Sequence, residues 1–130
     1  MSNLEITNND VQGIVIWEPV YDDEILVSAA AATYKAGTIL GRITADGNLT
    51  AYVPGETDGS GVPVAVLCCE EVLEAGVTKP VRPILAGRVR RKDMVVHDTT
   101  DPITKAAADA LRDYGIVPLS TTELSELDNQ

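Results

Sequence analysis

The sequence predicts a mainly β domain with one short helix and an extended N-terminal arm. Three observations carry that expectation. Short apolar runs rich in Val and Ile recur along the chain, each ended by Gly, Pro, Asn or Asp. Only residues 101–115 carry apolar side chains at helical spacing. The first two apolar runs are short and are separated by Pro19 and by Asp22, Asp23 and Glu24, before a more orderly pattern begins near residue 34. The chain is accordingly expected to comprise an N-terminal segment that can serve as an arm (residues 1–33), a β-rich domain (34–119) and an acidic tail (120–130).

Length and charge bound the function. A chain of 130 residues and 13.8 kDa can bury one core without a disulfide or metal. Its formal charge of −10 argues against a nucleic-acid partner, which needs a basic face. No apolar run approaches the length of a membrane span, so no membrane partner is expected. The first ten residues lack the basic and apolar regions of a secretory signal, which points to folding in a reducing cytoplasm.

Residues 1–10 are polar and Asn-rich. Ile14, Val15, Ile16 and Trp17 form a β-branched, aromatic run; Val20 and Tyr21 follow Pro19, and Ile25, Leu26 and Val27 make a second short run. Two readings fit them: an arm that pairs its strands with a second protein, or edge strands of the same domain. Residues 38–44 and 49–53 alternate as a hairpin, with Asp46-Gly47 as the turn signal. Residues 54–61 (PGETDGSG) read as a loop, since a phosphate cradle would end in Lys-Ser or Lys-Thr. Residues 62–69 are nearly continuously apolar, the pattern of a strand buried on both faces.

Glu70, Glu71 and Glu74 lead to a turn at Gly76. Residues 81–89 form a further strand, with Val81, Leu85 and Val89 on one face and Arg82, Ile84, Ala86, Arg88 and Arg90 on the other. Residues 94–96 suggest a short strand. The helix has Asp101 as N-cap, Pro102 at its first position and Gly115 as C-cap. Its apolar face comprises Ile103, Ala106, Ala107, Ala110, Leu111 and Tyr114. Residues 116–119 form a final strand.

No catalytic constellation emerges. His97 is the only histidine and has no ligand or base partner at a recognisable spacing. Cys68 and Cys69 sit next to each other in a strand-like run, so they should point to opposite faces and act as reduced structural thiols. Glu70, Glu71 and Glu74 lack the spacing of a calcium loop. Arg88, Arg90, Arg91 and Lys92 are the one cationic concentration; they pair either with a neighbouring subunit's carboxylates or with the chain's own. No cofactor or metal is expected.

Taken together, AGTILGRITADGNLTAY (36–52), TDGSG (57–61), VPVAVLCCEEV (62–72), ILAGRVRRKDM (84–94) and ALRDYGIVPL (110–119) resemble, in order and spacing, the head decoration proteins of tailed bacteriophages. That resemblance implies a β-clip-like fold and a non-enzymatic clamp. It implies a homotrimer on the outer surface of the expanded head, at local threefold positions between subunits of the major capsid protein. Such a trimer stabilises the shell against the pressure of packaged DNA, and would be made in the host bacterial cytoplasm. The arm would then carry the capsid-binding residues: Ile14, Val15, Ile16, Trp17, Val20, Tyr21, Ile25, Leu26 and Val27. Arg88, Arg90 and Arg91 would form the trimer interface. The arm is more apolar than the Pro-, Thr- and Ala-rich arm of the lambda protein, so it can fold partly onto the domain before binding.

On this reading, removing residues 1–27 ends shell binding and leaves the domain folded. Trp17→Ala weakens attachment more than any substitution in the 54–61 loop. The alternative is a small trimeric β-clip enzyme of the nucleotide-hydrolase type, for which Asp46-Gly47 and Asp58-Gly59 are faint echoes more simply read as turns. A carbohydrate-binding module is disfavoured by an aromatic content of 4%.

Overall fold

A computed structural model describes residues 15–99 and 102–119, with residues 15–18 as backbone. Ten strands are present among them: β1 (Val15–Tyr21), β2 (Glu24–Leu26), β3 (Ala32–Tyr34), β4 (Ile39–Arg42), β5 (Leu49–Ala51), β6 (Pro63–Val66), β7 (Glu71–Leu73), β8 (Lys79–Val81), β9 (Ile84–Arg90) and β10 (Ile116–Leu119). One α-helix, α1 (Lys105–Asp113), precedes β10. The fold is mainly β with one short helix, as the sequence predicts.

Eight strands form one sheet in the order β1-β9-β6-β4-β5-β2-β8, with β10 parallel to β9; β3 and β7 pair separately. The order forces the sheet to curl. β1 and β2 lie five strand steps apart, roughly 24 Å on a flat sheet. Only Asp22 and Asp23 join them, and such a link reaches at most about 11 Å.

Curling creates two cores. One, the helix-side core, lies under α1 and contains Ile39, Val66, Ile84, Val89, Leu111 and Ile116; the other, called the inner core, contains Leu26, Tyr34, Leu40, Leu49, Leu67 and Val81. The alternation of Ile39 with Leu40, and of Val66 with Ala65 and Leu67, places successive side chains in opposite cores. β4 and β6 are thus buried on both faces, which accounts for the apolar run at residues 62–69.

Several boundaries differ from the sequence reading. Pro19 does not end β1, which runs on to Tyr21 along β9 with irregular register between Trp17 and Val20. A proline is tolerated there because, among the described residues, β1 is the last strand of the sheet and no partner on its outer edge calls for a donor. The predicted strand at 81–89 is two strands: β8 pairs with β2, and β9 pairs with β1, β6 and β10. Within β9 the predicted faces are also wrong, since Ile84 and Val89 share one core although five residues apart. The register against β1 carries one extra β9 residue, Leu85, between Ile84 opposite Tyr21 and Ala86 opposite Val20, and that bulge resets the alternation.

The helix starts later than its sequence suggests. Thr104 caps it, accepting a hydrogen bond from the Ala107 amide at 3.1 Å, while Asp101 lies outside the described residues. With that start, Ile103, Ala107, Ala108 and Leu111 face the core, and Ala106 and Tyr114 face solvent. The predicted strand at 94–96 is a single bridge between Thr38 and Val95.

The β4–β5 hairpin closes through a longer loop than a two-residue Asp-Gly turn. The Ile43 amide donates to Asn48 O, the Gly47 amide to Ile43 O, and the Asn48 amide to the Asp46 carboxylate. Beside it, the 54–61 loop is strapped onto the sheet. The Thr44 amide donates to Asp58 O at 2.8 Å and the Val53 amide to Ser60 O at 3.0 Å. Asp58 accepts from both the amide and the hydroxyl of Ser60, at 3.0 and 2.6 Å.

These Ser60 hydrogen bonds, the hydroxyl first, hold the Asp58 carboxyl below its ordinary 3.8. A carboxyl lowered in the folded state adds stability above its unfolded value and loses it as pH falls through the folded value. Asp58→Asn should therefore melt below the parent protein at neutral pH, and the gap should close as pH drops below 3.8. Melting temperatures followed through that window test this; a constant gap would place the loop's anchor elsewhere.

Candidate functional site

The residues expected to bind a shell do not form one surface. Val15, Ile16 and Trp17 lie on β1, whose backbone pairs with β9 along one edge and, among the described residues, with nothing along the other. Ile14 falls outside the described residues, as do the side chains of Val15, Ile16 and Trp17. Val20 is exposed and Tyr21 is half-buried against the helix-side core. Burial, then the nearby Cys68 and Cys69, push the Tyr21 phenol above its ordinary value.

On β2, Ile25 points outward while Leu26 is 0% exposed. Leu26 is thus a core residue, closed to any partner, because β2 is held between β5 and β8. Val27 is half-buried and donates its amide to Leu49 O at 2.9 Å. The run at residues 15–26 is integral to the sheet. A charged clasp reinforces it: the Arg42 guanidinium donates to both Glu24 oxygens, at 2.8 and 3.0 Å.

The arginines cluster where β9 ends. Arg88 lies opposite Trp17 of β1 and Val117 of β10, Arg90 lies opposite Leu119, and Arg91 opens the 3-10 turn Arg91–Asp93. Arg88 is exposed; Arg90 and Arg91 are half-exposed.

Residues with catalytic potential are dispersed. His97 packs edge-on against the buried Tyr34 ring at 4.6 Å, with Asp98 Oδ1 at 4.0 Å from its Nε2. Among the described residues, no group of three or more His, Cys, Asp and Glu side chains is placed to hold a metal ion. The cysteines differ from expectation. They lie in a bend just past β6 rather than on opposite strand faces, and their sulfurs approach to 3.7 Å.

The candidate surface is therefore, among the described residues, a sheet edge and a charged strand end. A family model for the bacteriophage lambda head decoration protein D matches residues 5–116. The chain belongs to that family. The match runs from ten residues ahead of β1 to the first residue of β10, so it takes in the N-terminal region as well as the β-rich domain. A search of curated proteins returns no match. As a head decoration protein, the chain is a structural constituent of a phage virion, associated with the capsid.

Sequence reasoning missed two features of this head decoration protein. The strap of Asp58, Gly59 and Ser60 over β4 went unread, although Asp-x-Ser is a readable Asx-turn signal. The pairing of β3 with β7 was missed because both strands are three residues long and β7 begins in a run of glutamates.

Proposed function

We propose that this protein cements the expanded phage head from outside, as a homotrimer at local threefold positions, and holds the shell against the pressure of packaged DNA. The observation that carries this reading is the outer edge of β1. Among the described residues it has no partner, and the family match extends through the residues that precede it. An open strand edge can accept, or continue into, pairing with a strand of the major capsid protein. Contact then runs through residues 1–14, β1 and the outward Val20 and Ile25, and excludes Leu26.

Three such contacts on a trimer raise the effective concentration of the second and third, so weak single contacts become firm attachment. If the matching edge forms only on expansion, binding shifts the shell toward its expanded state. Arg88, Arg90 and Arg91 are proposed to face acidic groups of neighbouring subunits, which a chain of charge −10 supplies in excess.

Co-sedimentation with expanded and unexpanded shells of the parent phage tests the proposal. The full chain should pellet with expanded shells alone. A chain beginning at residue 15 should stay folded and lose at least about a hundredfold in apparent affinity, the loss expected when a multivalent contact is removed. Equal binding of both chains would move the contact away from the N-terminal region. Binding by neither shell form would end the cementing reading.

A further inference from the structure

The proposed capsid contact does not draw on Cys68 and Cys69. Their sulfurs nonetheless lie 3.7 Å apart at a groove of about 540 Å³. The groove wall carries Ile25, Leu67, Pro80 and Val81, with Arg82 and Glu71 also lining it. Cys69 is exposed and Cys68 half-buried, and both are free thiols.

We propose that Cys68 and Cys69 form a dithiol capture site for thiophilic centres satisfied by two sulfurs, trivalent organoarsenicals above all. Two features select that class. First, the described residues bring no third His, Cys, Asp or Glu donor into the cluster, so a metal ion needing three or four protein ligands is poorly served. Second, the apolar wall beside the sulfurs can receive an aryl group carried on the captured atom.

The reaction is a condensation without change of oxidation state. Phenylarsine oxide and the two thiols give a cyclic dithioarsonite and one water. Two As–S bonds form, the As–O bonding is lost, and both thiol protons leave with the oxygen. Arsenic remains trivalent throughout.

The thiols play unequal parts. Burial first, then the neighbouring Cys69, push the Cys68 thiol up to about 11, so it is a poor nucleophile alone. Once arsenic is attached to the exposed Cys69, Cys68 meets it at an intramolecular effective concentration and closes the ring. The pair should therefore distinguish a reagent that takes one sulfur from one that takes two.

The test uses the full chain, intact mass and two competitors. One phenylarsenic should add per chain, survive an excess of a monothiol such as 2-mercaptoethanol, and leave with dithiothreitol. Brief iodoacetamide treatment should label Cys69 and spare Cys68, and prior arsenical should block it. Cys69→Ser, at an exposed position that should not disturb folding, should lower apparent affinity by roughly a hundredfold or more. An adduct that a monothiol removes as readily from the parent protein as from Cys69→Ser would overturn the proposal. So would equal affinity of the two proteins.

Discussion

A chain that begins at residue 28 is expected not to fold. It would lose Leu26 from the inner core, where removing most of a buried leucine side chain costs about 2–5 kcal/mol. It would also lose the Glu24–Arg42 clasp, worth about 1 kcal/mol in its partly exposed setting. Without β1, the long edge of β9 stands open and Tyr21 no longer covers the helix-side core. These losses together reach the margin of about 5–15 kcal/mol by which a typical domain is folded. Thermal melting followed by circular dichroism checks this. The shortened chain should show no cooperative transition, and a chain beginning at residue 15 should melt much as the full protein does. A cooperative melt of the 28–130 chain within a few degrees of the parent would show that β1 and β2 contribute little to the sheet. The separation matters for the proposed function, because the cut at residue 15 would remove the proposed shell contact of residues 1–14 without unfolding the protein.

Gly59→Ala is expected to be strongly destabilising, because it combines a disfavoured backbone conformation with a steric clash. Gly59 has φ +108, where a side chain is disfavoured, and a Cβ there would run into the carbonyl oxygen of Arg42 and lie 2.7 Å from Thr44 Oγ1. The backbone penalty is about 1–2 kcal/mol and the overpacking about 1–3 kcal/mol more. Gly55→Ala is the control: its φ is +90, but nothing lies within 4 Å of the added carbon. Urea denaturation should show Gly55→Ala losing only the backbone part, about 1–2 kcal/mol. Gly59→Ala should lose at least twice that. Equal losses would mean that the 54–61 loop is not pressed against β4.

Much of the fold was legible because its signals were local. The alternation through residues 38–53, the apolar run at 62–69 and the helix ending at Gly115 each follow from side chains within one turn or one strand. Other features depend on what sits across the sheet. Nothing in Leu26 itself distinguishes a core residue from a capsid contact; its burial follows from β5 and β8, which arrive later in the chain. The faces of β9 were misread because an extra residue at Leu85 inverts the alternation, and a leucine in an apolar strand carries no sign of a bulge. The cysteine pair was misread because the chain bends just past β6, so the period of a strand does not apply to it.

The two-residue link between β1 and β2 has a mechanical consequence. Tension entering at residue 15 and directed along β1 runs across the β1–β9 ladder, so its hydrogen bonds bear the load in shear rather than opening one after another. β1 cannot relieve that load by slipping along β9. A slip of two residues needs about 6.6 Å, and the short link would have to drag β2 with it. β2 is plugged into the inner core by Leu26 and tied to β4 by Glu24 and Arg42. A pull on the N-terminal end is thus carried into the body of the domain instead of stripping its outermost strand.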